Sequence, residues 1–177
     1  MGEKSAYYIP ENQDAFKGKA EEISDLFWNK GIFLSTPDQH IYTRLRKYEE
    51  KGIAVPPCNH EFSFLEMGIA DEGIEIPVPS NVYDAVCPKC EAEVYEEFTE
   101  SLALGDESVP LPDRIVICSS CNHSFKSSET KTTDSGFQFA RVYLWVSDIY
   151  EEDWEPIFKA TVESVLGPCR EIIAWDT

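Results

Sequence analysis

Two Cys-x-x-Cys pairs, Cys87-Pro88-Lys89-Cys90 and Cys118-Ser119-Ser120-Cys121, set the terms on which this chain can fold. Each pair puts two sulfurs on one tight turn. Two such turns supply four thiolates, the ligand set of a tetrahedral zinc ion. Four protein ligands leave no open position for water, so such an ion folds the segment around it and does not activate a nucleophile. The cofactor expected is one structural Zn2+ held by Cys87, Cys90, Cys118 and Cys121.

The flanks of both pairs are β-prone. Ala92-Glu93-Val94-Tyr95 follows the first pair, Arg114-Ile115-Val116-Ile117 precedes the second, and Ser124-Phe125 follows it. Paired cysteine turns carried on antiparallel strands resemble a zinc ribbon, here over residues 84–130, about a quarter of the chain. The resemblance implies a fold element and no single function, since ribbons occur in transcription factors, polymerase subunits, ribosomal proteins and enzymes. Ribbons usually carry Gly directly after each pair, where the backbone turns left-handed. Those positions are Glu91 and Asn122 here; Asn tolerates that conformation and Glu is less comfortable in it. The spacer between Cys90 and Cys118 has 27 residues, and Leu104 to Asp113, with Gly105, Pro110 and Pro112, reads as an extended loop. The competing reading is redox. Cys-Pro-x-Cys resembles dithiol oxidoreductases, which seat the pair at a helix N-terminus to lower the thiol pKa. The β-prone flanks and the coincidence of two pairs favour metal, with an iron site as the remaining alternative.

Outside this module, residues 1–13 read as irregular. A helix is expected from near Asp14, with Phe16, Ala20, Ile23 and Phe27 at helical spacing and Gly31 at its end. Thr36-Pro37-Asp38-Gln39 fits a capping box opening a second helix to about Lys51, burying Ile41, Leu45 and Tyr48, with Gly52 as the stop. Alternation at Phe62 and Phe64, and again at Ile74, Ile76 and Val78, predicts a β-hairpin over residues 61–78 turning at Asp71-Glu72-Gly73. Pro77 and Pro79 place its second strand at an edge or make it short. Phe137 to Ser147 predicts a strand. Asp153 to Leu166 predicts a helix with Trp154, Phe158, Thr161, Val162 and Val165 on its apolar face, stopped at Gly167-Pro168. Glu171 to Trp175 predicts a last strand. If the two strands flanking that helix are parallel neighbours, their crossover is right-handed. The fold class expected is α+β: a mixed or antiparallel sheet with helices packed on one face, formed by residues 1–80 and 132–177, with the zinc ribbon of 84–130 inserted.

Charge narrows the function classes. The formal net charge is -18, with 9 acidic and 8 basic side chains in residues 1–60 and 24 acidic and 7 basic in residues 61–177. Phosphate backbones and anionic membranes are repelled by such a surface. A transcription-associated ribbon fits poorly, because residues 84–130 hold 10 acidic and 3 basic side chains. No nucleotide-binding or nucleophile-elbow motif is present. The N-terminus lacks an apolar signal core, and no run suits a transmembrane helix, so a cytoplasmic protein is expected. The favoured function is a non-enzymatic, protein-binding module, adaptor- or immunity-like, whose partner is another protein and plausibly a basic one. The alternative is a small enzyme carrying a structural ribbon, with a pocket gathering His40, His60 or Cys58 with carboxylates.

The remaining candidates have plainer readings. Cys58 and His60 suggest half a second metal site without its other half. His123 reads as an exposed neighbour of the second pair and Cys169 as a packed thiol. The four tryptophans read as core. Arg44, Lys47 and Lys51, with Arg46 nearby, form the densest basic cluster; a solvated helix face is favoured over docking against an acidic partner or the acidic remainder of the chain.

Overall fold

The computed structural model describes residues 3–52, 66–147 and 156–176. The elements begin with β1 (Glu3–Pro10), α1 (Gln13–Phe16), α2 (Ala20–Trp28), α3 (Ile41–Glu50) and β2 (Glu66–Val78). They continue with β3 (Ala85–Val86), α4 (Tyr95–Leu104), β4 (Ile115–Ile117), β5 (Ser124–Lys126) and β6 (Lys131–Thr132). Last come β7 (Gln138–Ser147), α5 (Pro156–Leu166) and β8 (Cys169–Asp176). The class is α+β. Two compact units are present, Met1–Glu72 with Arg141–Thr177, and Gly73–Ala140.

The first unit is built on a four-stranded sheet in the order β2-β7-β1-β8. β1 is antiparallel to both of its neighbours, with Ala6 opposite Val146 on one side and Ile173 on the other. With helices between β1 and β2 and between β7 and β8, the connectivity is that of a split βαβ arrangement. β7 and β8 are therefore parallel but not neighbours, because β1 lies between them. Within the segment expected to be irregular over residues 1–13, residues 3–10 form this inner strand and Gln13 opens α1. Ala6 and Tyr8 are fully buried while Lys4 and Tyr7 are half-buried. The period of two is obscured by the buried Ser5, and the pairing partners lie at the far end of the chain.

α2 and α5 cover one face of the sheet. Ile23 and Phe27 from α2 and Phe158, Val162 and Leu166 from α5 meet Ala6, Tyr8, Met67, Ile69, Val142, Leu144 and Val146. These i, i+4 apolar stripes are why the segments are helices here. Burying a large aliphatic or Phe side chain contributes roughly 1.5–3 kcal/mol. The expected first helix is broken: α1 ends at Phe16, Gly18 takes φ +72°, and α2 starts afresh at Ala20.

Two other expectations give way to tertiary contacts. Thr36-Pro37-Asp38-Gln39 forms a turn, with Thr36 N–H donating to the Gln39 carbonyl at 2.9 Å and the reverse bond at 3.2 Å. Proline in the second place suits a turn as well as a helix start. Ser35 next to it is held extended against β2, by Ser35 N–H to Met67 O at 3.0 Å and Ile69 N–H to Ser35 O at 2.9 Å. α3 consequently starts at Ile41, where His40 Nδ1 caps Tyr42 N–H at 3.3 Å. Ile41 and Leu45 are half-buried. The hairpin expected over residues 61–78 is instead one strand of 13 residues, β2, through Asp71-Glu72-Gly73. Asp71 accepts from Gly18 N–H and from Arg141 Nε at 2.7 Å, and Glu72 accepts from Tyr143 Oη–H at 2.8 Å. These partners hold Asp71 and Glu72 within the strand, while Gly73 keeps a left-handed φ of +76°. β2 is an edge strand, which suits Pro77. Gly68 in it is required small: a Cβ there would lie 2.7 Å from the Trp145 ring.

Phe62, Phe64, Trp154, Cys58 and His60 lie outside the described residues, as do the side chains of Tyr48 and Trp175.

The second unit has its own core: Val82, Ala85, Cys87, Val94, Phe98, Val116, Cys118 and Phe125, flanked by Phe137 and Phe139. β3 pairs with β6 and β4 pairs with β5, both antiparallel. Ala92–Tyr95 is not a strand. Glu93 makes one bridge to Val86, and Tyr95 then opens α4. Val94, Phe98 and Leu102 recur every four residues, a helical stripe that a four-residue window misses. Phe98 sets this helix, 2% exposed, with its ring 5.5 Å from Phe137 and 6.5 Å from Phe139. Of the extended loop expected over Leu104 to Asp113, Leu104 instead closes α4 and Leu111–Asp113 is a short 3-10 turn, with loop between them.

Candidate metal centre

The two cysteine pairs sit on turns of the same construction. In the first, Glu91 N–H donates to Cys87 O at 3.0 Å, and Cys87 N–H donates to Ala92 O at 2.9 Å. In the second, Asn122 N–H donates to Cys118 O at 2.8 Å, and Cys118 N–H donates to His123 O at 3.0 Å. The offsets are identical. Each turn closes through a residue in the left-handed region, Glu91 at φ +59° and Asn122 at φ +55°. The second turn is carried by the β4–β5 hairpin, in which Ile115 faces Lys126 and Ile117 faces Ser124. The first is carried by the Val86–Glu93 bridge.

This construction brings the four sulfurs within 4.8 Å of one another. Cys87 Sγ lies 3.9 Å from Cys121 Sγ, and Cys90 Sγ lies 3.7 Å from Cys118 Sγ. A tetrahedron with metal–sulfur distances of about 2.3 Å has sulfur–sulfur edges of about 3.8 Å. A disulfide needs about 2.05 Å, and all four thiols are free. The cluster can hold a metal ion, and its donors suit a thiophilic one. Cys87 and Cys118 are fully buried, Cys121 is half-buried and Cys90 is exposed. Burial opposes charge on Cys87, but the Cys90 and Lys89 amides and the neighbouring thiols outweigh it and bring the Cys87 thiol down to about 7. At Cys90 the Ala92 amide favours the thiolate, but the Cys121 thiol, burial and the other two sulfurs push it up to about 12. A bound divalent cation reverses this, since a coordinating thiol is deprotonated outright.

Several contacts set around the cluster have no short sequence motif. Ser119 N–H donates to Glu97 Oε1 at 3.3 Å, tying α4 to the second turn; the Ser119 hydroxyl, with the Glu97 and Ser119 amides, outweighs burial and lowers the Glu97 carboxyl. Lys131 Nζ donates to Pro88 O at 3.5 Å. Arg114 is buried and donates from Nε to Val109 O at 3.2 Å and to Leu102 O, fastening the spacer to the end of α4. Asp84 gathers the loop after β6, accepting from Ser135 Oγ at 2.6 Å, Asp134 N–H at 2.8 Å and Ser135 N–H at 2.9 Å. Only the helical period of α4 was available to foretell any of these.

The other candidates fall elsewhere. His123 is half-buried and stacks on Phe125 at 5.7 Å, outside the four-sulfur group. His40 caps α3 and stacks on Tyr42 at 5.2 Å. Cys169 is buried, and burial with the Glu163 charge pushes its thiol up to about 12. Arg44 departs from the solvated helix face expected of it. It is 5% exposed, sits 4.4 Å over the Trp28 ring, donates to Ser24 and Asp25, and lies 3.8 Å from Glu21. It docks α3 against the acidic side of α2, while Arg46, Lys47 and Lys51 are exposed. A cavity of about 260 Å³ opens beside β2, lined by Ser35, Thr36, Ile69, Asp71, Glu72 and Trp145 among others, none of them His or Cys. Among the described residues, no helix is long and apolar enough to cross a membrane.

No family model, curated protein or solved structure matched the chain in the three comparisons.

Proposed function

We propose that this chain binds one zinc ion as a structural centre and serves as a non-enzymatic module that docks a basic protein partner in the cytoplasm, as an adaptor or immunity-like protein would. The observation that carries the metal reading is the spacing of the four sulfurs, 3.7 and 3.9 Å across the two turns, which suits a tetrahedral thiolate shell. Cys87, Cys90, Cys118 and Cys121 are the ligands. Four of them close the shell, so the ion's contribution is to hold the two turns together. The docking reading rests on charge: -18 over the chain favours a cationic partner and disfavours nucleic acid. The enzyme reading keeps one observation in its favour, the cavity beside β2, but its lining offers carboxylates and hydroxyls without a histidine base or thiol nucleophile.

Elemental analysis of the purified chain tests the metal. One zinc per chain is expected, falling well below one in Cys118→Ser; iron, or no metal, would refute it. Affinity capture from nuclease-treated lysate of the native cell tests the partner. A stoichiometric basic protein, released by salt and absent with Cys118→Ser, is expected. Capture of nucleic acid, or of nothing, would turn the reading down.

A further inference from the structure

We propose that Cys90 is an oxidation site of the cluster, taking hydrogen peroxide or a small hydroperoxide, and that oxidation joins it to Cys118 across the two turns. This rests on the reading of the four cysteines as a thiolate metal shell. The four sulfurs are not equivalent. Cys87 and Cys118 are wholly buried and Cys121 half-buried, whereas Cys90 is exposed, so an oxidant in solvent reaches the cluster first at Cys90. Cys169, the other described thiol, is only 8% exposed. Cys90 also has a close sulfur on the other turn: Cys118 Sγ is 3.7 Å away. Closing that gap to a disulfide's roughly 2.05 Å needs a shift of about 1.7 Å.

The chemistry balances without a further reagent. The Cys90 thiolate attacks one peroxide oxygen, the O–O bond breaks and hydroxide leaves, giving a sulfenic acid. The Cys118 thiolate attacks the sulfenic sulfur, the S–S bond forms, the S–O bond breaks and a second hydroxide leaves. Each sulfur is oxidised by one electron, and the peroxide is reduced by two to hydroxide. Two thiolates are then lost from a four-thiolate shell, one from each turn, so neither turn keeps a complete pair. Thiol reductants reverse the disulfide. The first turn is also the one that closes through a left-handed Glu, Glu91 at φ +59°, a conformation that favours opening it.

The test uses the full-length, reduced, zinc-loaded chain treated with one equivalent of hydrogen peroxide. Dimedone traps the first sulfenic acid, peptide mapping reads the disulfide, and a chromogenic chelator reads zinc release. Expected are a dimedone adduct on Cys90, a Cys90–Cys118 disulfide, one zinc released per disulfide, and recovery with dithiothreitol. Cys90→Ser should slow release at least tenfold. Adducts arising first on Cys87, Cys118, Cys121, Cys58 or Cys169, or a dominant Cys87–Cys90 or Cys118–Cys121 disulfide, would overturn it. The mapping decides on the wild-type chain even where Cys90→Ser fails to load. If the chain takes up no zinc at all, the metal reading falls, and the thiol mapping still tells whether Cys90 and Cys118 pair.

Discussion

Glu91 and Asn122 show how little freedom the cysteine turns leave to single residues. Both stand where the chain turns left-handed, at φ +59° and +55°, and matching hydrogen bonds back to Cys87 and Cys118 hold them there. A non-glycine residue there is strained by roughly 1–2 kcal/mol, less for Asn, whose side chain suits the region. Glu91→Gly relieves that strain and gives back some of it as unfolded-chain entropy. It is expected to stabilise residues 84–130 by up to about 1 kcal/mol, and Asn122→Gly by much less. Chelator-induced unfolding of the two variants measures this; a Glu91→Gly chain no more resistant than wild type would show that Glu91 carries no strain. These positions were legible in the sequence because a four-residue turn is a local object. Arg44 was not: its place over Trp28 and beside Asp25 depends on how α3 meets α2, which no neighbour in the chain specifies.

At the scale of elements, α4 and the Asp84 loop do for the module what the cysteines alone do not. α4 sends Phe98 into the core and Glu97 to the second turn. Asp84 collects the residues after β6. Partial burial raises its carboxyl, but the Ser135 hydroxyl and amide and the Asp134 amide outweigh this and hold it below the usual carboxylate range. A depressed folded pKa fixes the sign: the loop's extra stability is complete above the unfolded carboxylate value near 4 and is lost as pH falls through the lower folded value. Hydrogen exchange at Asp134 and Ser135, followed downward from pH 6, should accelerate in that acid window beyond the intrinsic rate. Asp84→Asn should abolish that step; a step of the same size in Asp84→Asn would assign it to another group. β2 makes the opposite point. Its Asp71-Glu72-Gly73 carries a strong turn signal and Gly73 does take a φ of +76°, yet the contacts from Gly18, Arg141 and Tyr143 to Asp71 and Glu72 carry one strand through it.

Among the described residues two cores share no buried residue, one on the four-stranded sheet and one around the cysteines. Structural zinc binding contributes on the order of 10 kcal/mol to a small thiolate module. If the proposed zinc is bound, stripping it with excess chelator is therefore expected to remove amide protection over residues 84–130 while Ala6, Tyr8, Leu144 and Val162 remain protected. Loss of protection in both sets together would mean one cooperative unit. What the sequence determined by itself was everything that acts through near neighbours. The four clustered cysteines and their shared turn geometry are fixed by spacing, the helical faces of α2 and α5 by period, and the helix ends at Gly31, Gly52 and Gly167 by a residue that accepts left-handed backbone. What only the tertiary structure decided was which segments pair and which local signals lose. β1 became an inner strand because β8 pairs with it along its whole length and β7 pairs with Ala6 to Tyr8, both from the other end of the chain. The turn signals within β2 yielded because ladder bonds and side-chain partners outweigh a preference worth about 1 kcal/mol. A local preference is small and is felt in every conformation. A long-range pairing is worth more, but it exists only once the chain has folded.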